Sequence, residues 1–197
     1  MSKINEFLDL ESDIKNQKFK NEKLENINIK YRLFKDCKFE NIKMEKVNFN
    51  DCFFDNVEIS SSSSLLNVNF DNCNFKKCNI NNSKISGSSF YKCNSSESSI
   101  EDSIITMSYY ELNNFKKSTY TECTFKENKY ENMTFKDCIF DYIKIHDNLF
   151  YKSVFEKCDL ITSEFTLNAI DINYLKTSMI SPASLLQIAS DLGINIK

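Results

Sequence analysis

The sequence has almost none of the residues that usually mark turns. Among its 197 residues there are two glycines, Gly87 and Gly193, and one proline, Pro182. Whatever turns the chain must do so largely without Gly and Pro. Two isolated glycines also exclude a phosphate-cradling P-loop and the glycine pattern of a dinucleotide-binding turn. Tryptophan is missing, and His146 is the single histidine. No Ser-His-Asp set can be assembled around it, so an enzyme is not expected, and no catalytic residue or cofactor is assigned. No stretch approaches the ~18 consecutive apolar residues of a membrane span. Residues 1–10 hold no apolar run of the kind a secretory signal needs. The expectation is a cytoplasmic protein with no membrane partner. Net charge is small: 25 Lys and Arg against 28 Asp and Glu give −3. That balance excludes the strongly basic surface of an ordinary nucleic-acid binder, so no direct nucleic-acid contact is expected.

Phenylalanine, by contrast, is abundant, with 17 copies, and its placement is periodic. Stepping by five from Leu24 meets Ile29, Phe34, Phe39, Met44, Phe49, Phe54 and Ile59. The register slips by one residue inside the run Ser60–Ser64, then resumes at Leu65 and holds to Ile180, with Ser95 the one polar exception. Upstream, Ile14 and Phe19 keep the phase. A period of five is neither the 3.6 of a helix nor the 2 of a flat strand. It fits a coil with a corner after every pentad and one large side chain per pentad pointing inward. Four pentads would close one square turn, so residues twenty apart would stack.

Two positions before each large residue lies a second inward site, filled mostly by Cys, Val or Ser. All eight cysteines (Cys37, Cys52, Cys73, Cys78, Cys93, Cys123, Cys138 and Cys158) occupy it. Metal ligands or disulfide partners would not all coincide with one packing position. We therefore read them as small buried hydrophobes, with metal or redox chemistry the weaker alternative. Asn113, Asn128, Asn148, Asn168 and Asn173 look like looser fits there, and local irregularity is expected around them.

This pattern resembles the pentapeptide-repeat family over nearly the whole chain. The resemblance implies an all-β fold, a right-handed quadrilateral parallel β-helix of about eight coils, followed by a short C-terminal helix. The expected layout is an N-terminal cap or flexible segment over 1–13, the β-helix over 14–180, and a C-terminal segment over 181–197. Stability should come from stacking of neighbouring coils along one dimension.

The ends carry a narrower resemblance. The segment Ile14-Lys-Asn-Gln-Lys-Phe19-Lys-Asn-Glu-Lys-Leu24-Glu-Asn26 is similar to the opening of the Qnr quinolone-resistance proteins, and Ala183-Ser-Leu185-Leu186 with Leu192-Gly193-Ile194-Asn-Ile196 to the close of the Qnr and MfpA proteins. In the C-terminal stretch, Ser181 suits a helix N-cap, Pro182 the first helical position and Gly193 the stop. Leu185, Ile188, Ala189 and Leu192 fall on one face at helical spacing, and Ile194 and Ile196 alternate like a short strand. This segment can be a cap on the open end of the coil. The resemblance further implies a homodimer interface through Leu185, Leu186, Ile188, Leu192, Ile194 and Ile196.

The same resemblance implies a DNA mimic that binds DNA gyrase or topoisomerase IV and protects it from fluoroquinolones. Stacking by twenty would place Glu101, Asp102, Glu122 and Asp141 along one corner, with Glu111 and Glu131 in another column. Lys76, Lys77, Lys116, Lys117 and Lys136 would line a third. A plain solvated surface accounts for these charges equally well. The competing function is an interaction or toxin-immunity protein with an unrelated partner.

Overall fold

A computed structural model of the chain describes residues 4, 6–7, 13–165, 175, 177–191 and 193–194. Short strands, nearly all of three residues, follow one another every five residues and assemble into four parallel sheets. The first face runs from Ile14–Lys15 to Val154–Glu156 in eight strands, the second from Lys18–Lys20 to Met179–Ile180 in nine, the third from Lys23–Glu25 to Glu164–Phe165 in eight, and the fourth from Asn28–Lys30 to Leu149–Tyr151 in seven. Each strand pairs with those one coil below and above: Phe34 lies over Ile14 and under Phe54. The chain is a four-sided parallel β-solenoid.

Each three-residue strand has one inward residue flanked by two outward ones, and the inward residue is the periodic apolar one except at Ser95. On the first face Phe34, Phe54 and Phe75 stack nearly parallel, with ring centroids 5.0 and 4.9 Å apart. On the fourth face Phe70, Phe90, Tyr110, Tyr130 and Phe150 do the same at 4.4 to 4.9 Å. A parallel ladder separates coils by about 4.8 Å, which is also an aromatic stacking distance. The backbone repeat thus sets the ring spacing, which explains why phenylalanine dominates.

The corners solve the turn problem with almost no glycine. Each falls on a residue in the left-handed region, such as Asn16, Asn21, Asn26 and Asp36, with φ of 51° to 58° at Asn21, Asn26, Asp36 and Asn41. Asn and Asp tolerate this conformation better than other side chains. They also bond to one another coil by coil, Asn41 Nδ2 donating to Asn21 Oδ1 at 2.8 Å and Asn56 Nδ2 to Asp36 Oδ1 at 2.7 Å. At Gly87 (φ 60°) a Cβ would sit 2.4 Å from Asn67 Oδ1, so a larger residue there would displace the Asn67 side chain in the corner below.

The register slip is absorbed in a corner and does not interrupt a strand. Ser61 and Ser62 both take positive φ where other corners use one such residue. Ser63 then turns inward, donating to the Ser60 carbonyl (2.6 Å) and accepting the Ile42 N–H (3.0 Å). The strands on either side keep their three residues.

The second inward position explains both the cysteines and the asparagines. Its side chain reaches down to the coil below: the Cys37 thiol lies 3.3 Å from the Ile14 carbonyl, and Cys73 3.4 Å from that of Phe49. Against expectation, Asn113, Asn128 and Asn148 cause no irregularity; they are buried in an unbroken ladder. Asn113 accepts the Cys93 N–H (2.6 Å) and donates to the Phe90 carbonyl (2.9 Å). Asn128 does the same with Ser108 N–H and the Ile105 carbonyl, both at 2.9 Å. The amide satisfies a donor and an acceptor of the lower coil at once, so it fits well. Asn168 and Asn173 lie outside the described residues.

In the first coil this position holds Gln17, Glu22, Ile27 and Arg32. Glu22 accepts the N–H of Ile4, which is buried, and Phe7 packs edge-on against Phe19 at 5.9 Å. The N-terminal segment thus contributes to covering the lower end of the core.

Candidate interaction surface

On a rod of this kind, the outward strand positions and the corner residues are what a partner meets. Outward residues twenty apart form columns, so the surface is a lattice with a step of about 4.8 Å along the axis.

The structure puts the acidic residues on two adjacent columns at one corner. Glu101 and Asp141 end strands of the second face, stacked as Asn81, Glu101, Thr121, Asp141. Asp102 and Glu122 occupy the neighbouring corner column, their N–H groups bonded to the carbonyls of Thr121 and Asp141. Glu101 accepts from Asn81 Nδ2 at 3.4 Å and Asp141 from the Thr162 hydroxyl at 2.8 Å. Among the described residues none of the four has an ion-pair partner.

Glu111 and Glu131 do stack, on the fourth face, but their surroundings differ. The Tyr109 hydroxyl lies 3.0 Å from both carboxylates, and Lys129 pairs with Glu131 at 3.0 Å. The Lys129 bond, followed by that from Tyr109, holds the Glu131 carboxyl below the usual range. Burial, and then the two carboxylates, push the Tyr109 phenol up. This column is therefore partly neutralised. Tyr109 and Lys129 were not singled out in the sequence, although stacking by twenty places them one above the other.

Lys76, Lys116 and Lys136 form a basic column on the first face, with Ser96 between the first two. Lys77 and Lys117 sit in the corner beside it. Lys136 pairs with Glu156 at 2.7 Å. The width of the second face separates this column from the acidic corner.

At the C-terminal end, helix α1 (Pro182–Asp191) begins at an N-cap, with Ser184 N–H donating to the Ser181 hydroxyl at 2.9 Å. It ends at Gly193, whose φ is 74° and whose N–H bonds to the Ser190 carbonyl, while Ile194 N–H bonds to Ala189. The residues buried against the coil are Ser184, Ile188 and Ala189. Leu185, expected beside Ile188, is outside at 47% exposure, with Leu186 at 52% and Ile194 at 56%. With Ser184, Ile188 and Ala189 facing the coil, the Ser184 hydroxyl 3.4 Å from the Ser163 carbonyl, both leucines point outward. Ile194 is not in a strand. Leu192 and Ile196 lie outside the described residues.

All eight cysteines are buried and free. Burial pushes the Cys78 and Cys123 thiols up to about 11. Cys158 is pushed up by its bond with Cys138 and by burial. Among the described residues no cluster of His, Cys, Asp and Glu could hold a metal ion, and no helix is long and apolar enough to cross a membrane.

A family model for pentapeptide repeats matches residues 61–91, in eight copies. No curated protein matches the sequence. Among solved structures, a trypsin-treated form of QnrB1, a plasmid-mediated fluoroquinolone resistance protein, is 19% identical at a TM-score of 0.45, the match covering 94% of this chain and 98% of that one. HetL, a pentapeptide-repeat protein involved in heterocyst differentiation regulation in the cyanobacterium Nostoc, is 10% identical at a TM-score of 0.37, covering 90% and 93%.

Proposed function

We propose, from the premise that the chain is a pentapeptide-repeat β-solenoid, that it is a non-enzymatic binding protein of the Qnr and MfpA kind. Its acidic corner enters the DNA-binding groove of a type II topoisomerase, DNA gyrase or topoisomerase IV, and modulates or protects that enzyme. The observation that carries this reading is the set Glu101, Asp102, Glu122 and Asp141, four carboxylates in adjacent columns with no ion-pair partner among the described residues. They span two coil steps, about 10 Å. Over that length duplex DNA presents roughly six phosphate charges. A local density of this order steers a rod toward a basic groove even where the net charge is small. Glu111 and Glu131 extend the acidic surface weakly, being tied to Tyr109 and Lys129.

The protein acts as a homodimer joined at its C-terminal end. Leu185, Leu186 and Ile194 are each exposed in that segment, as is Met179 just before it in sequence. An apolar patch at the end of a rod is a natural interface. Ile188 serves the cap, while Leu192 and Ile196 complete the proposed seam.

Binding of purified gyrase to charge variants tests the surface. The double substitution Glu101→Lys, Asp102→Lys should weaken binding about tenfold or more, since each new like charge facing a basic groove costs free energy. Lys116→Glu with Lys117→Glu should not weaken it. Equal binding by the wild type and the acidic-corner variant would remove that corner from the interface.

A further inference from the structure

The first-face column of inward rings is interrupted once. Phe75 lies below Ser95 and Phe115 above it, in register. Elsewhere along this column neighbouring rings stack nearly parallel, Phe54 on Phe75 at 4.9 Å and 10°, Phe135 on Phe155 at 4.8 Å and 10°. Phe115 departs from this. It meets Phe135 edge-on, at 5.6 Å and 77°. One ring is missing from the column, and the ring above has turned across the gap.

The gap opens into a cavity of about 90 Å³ that runs along the core of the solenoid. Phe75, Phe90, Ile100, Tyr110 and Phe115 border it at the level of Ser95, and it continues along the axis to Phe155. Phe75, Ile80, Phe90, Ile100 and Phe115 are only half-buried, although they occupy inward positions that are buried in most other coils. Serines lie along it, and the hydroxyls of three are already engaged, Ser99 Oγ donating to Asn79 Oδ1 at 3.0 Å. Ser98 Oγ accepts the Cys78 N–H (3.0 Å) and donates to the Ser96 carbonyl (3.1 Å). Ser118 Oγ donates to Lys116 (3.2 Å). The Ser95 hydroxyl has no hydrogen bond among the described residues. A buried water needs two to four partners, and this hydroxyl alone does not supply them.

We propose that this cavity is a binding site for a small aromatic molecule carrying one hydroxyl, a phenol. The ring takes the place of the absent side chain between Phe75 and Phe115, about 4.8 Å from each plane, the spacing of the rest of the column. The phenol hydroxyl pairs with that of Ser95. A dry apolar cavity of roughly 150 Å³ takes benzene in another protein. Here the further room comes from Phe115 turning parallel to Phe135. The wall is one strand thick, and Ser95 also borders a groove on the outer first face between Asn94 and Ser96. Local opening of that strand is the entry route.

Isothermal titration calorimetry of the full chain with phenol, and separately with benzene, tests this. The wild type should bind phenol saturably and benzene about tenfold more weakly, the worth of one hydrogen bond. Ser95→Phe, which restores the ring, should abolish binding of both. Ser95→Ala, which keeps the space and removes the hydroxyl, should still bind benzene and lose the preference for phenol. Absence of saturable phenol binding to the wild type would overturn the proposal, as would undiminished binding by folded Ser95→Phe.

Discussion

Asn128 accepts a buried N–H from the coil below and donates to a buried carbonyl there. It also bonds upward, Asn128 N–H and Nδ2 both donating to Asn148 Oδ1 at 2.9 Å. Leaving a buried polar group unpaired costs about 1–3 kcal/mol. Asn128→Ala leaves two on the lower coil, so it should destabilise the protein by about 2–4 kcal/mol in urea denaturation. The exposed rung Asn114, bonded to Asn94 at 3.4 Å, provides the contrast. Asn114→Ala should stay within about 0.5 kcal/mol of the wild type. Equal losses would mean that the inner asparagines are not the better fit the geometry indicates. At this scale the sequence was legible for apolar residues and misleading for asparagine. A period of five identifies which side chains point in, but it cannot show that an amide matches the two backbone groups a corner leaves to be satisfied. Ser95 stood out as the polar exception; the turned ring of Phe115 beside it follows from packing that no periodicity records.

At the scale of elements, strand positions followed directly from the spacing of Phe, Ile and Leu, because one inward residue per three-residue strand is all the pattern has to encode. The serine slip was also visible, though its form was not: two left-handed residues in a corner leave the strands untouched. Helix α1 was legible in its ends. Ser181 and Gly193 do what capping chemistry requires. Its rotation was not, since Leu185 and Ile188 both satisfy helical spacing, and only the packing of Ser184, Ile188 and Ala189 on the coil shows which of them faces inward. That rotation bears on assembly. With Leu186 outward and half-exposed, Leu186→Asp should convert the proposed dimer to a monomer in light scattering while leaving the far-ultraviolet spectrum of the solenoid unchanged. A wild-type chain that already has the mass of a monomer would end the dimer proposal.

The whole molecule is a rod whose charges sort by corner. Lysines on the lower part of the second face pair with acids one coil above, as Lys38 does with Glu58 at 2.8 Å. Higher on the same face, Glu101, Asp102, Glu122 and Asp141 lack such partners among the described residues, and the basic column of Lys76, Lys116 and Lys136 lies across the face from them. Columns of this sort were readable from residues twenty apart. Which acids are neutralised was not, because it depends on side chains such as Tyr109 reaching along the lattice. A net charge of −3 therefore understates the field at one corner and overstates it elsewhere.

The most direct test of the proposed function is supercoiling by purified DNA gyrase in the presence of ciprofloxacin, with and without this protein. The account predicts that supercoiling is restored at protein concentrations comparable to the enzyme, and that Glu101→Lys with Asp102→Lys lowers the effect. The absence of both rescue and inhibition, even at large excess over gyrase, would contradict it.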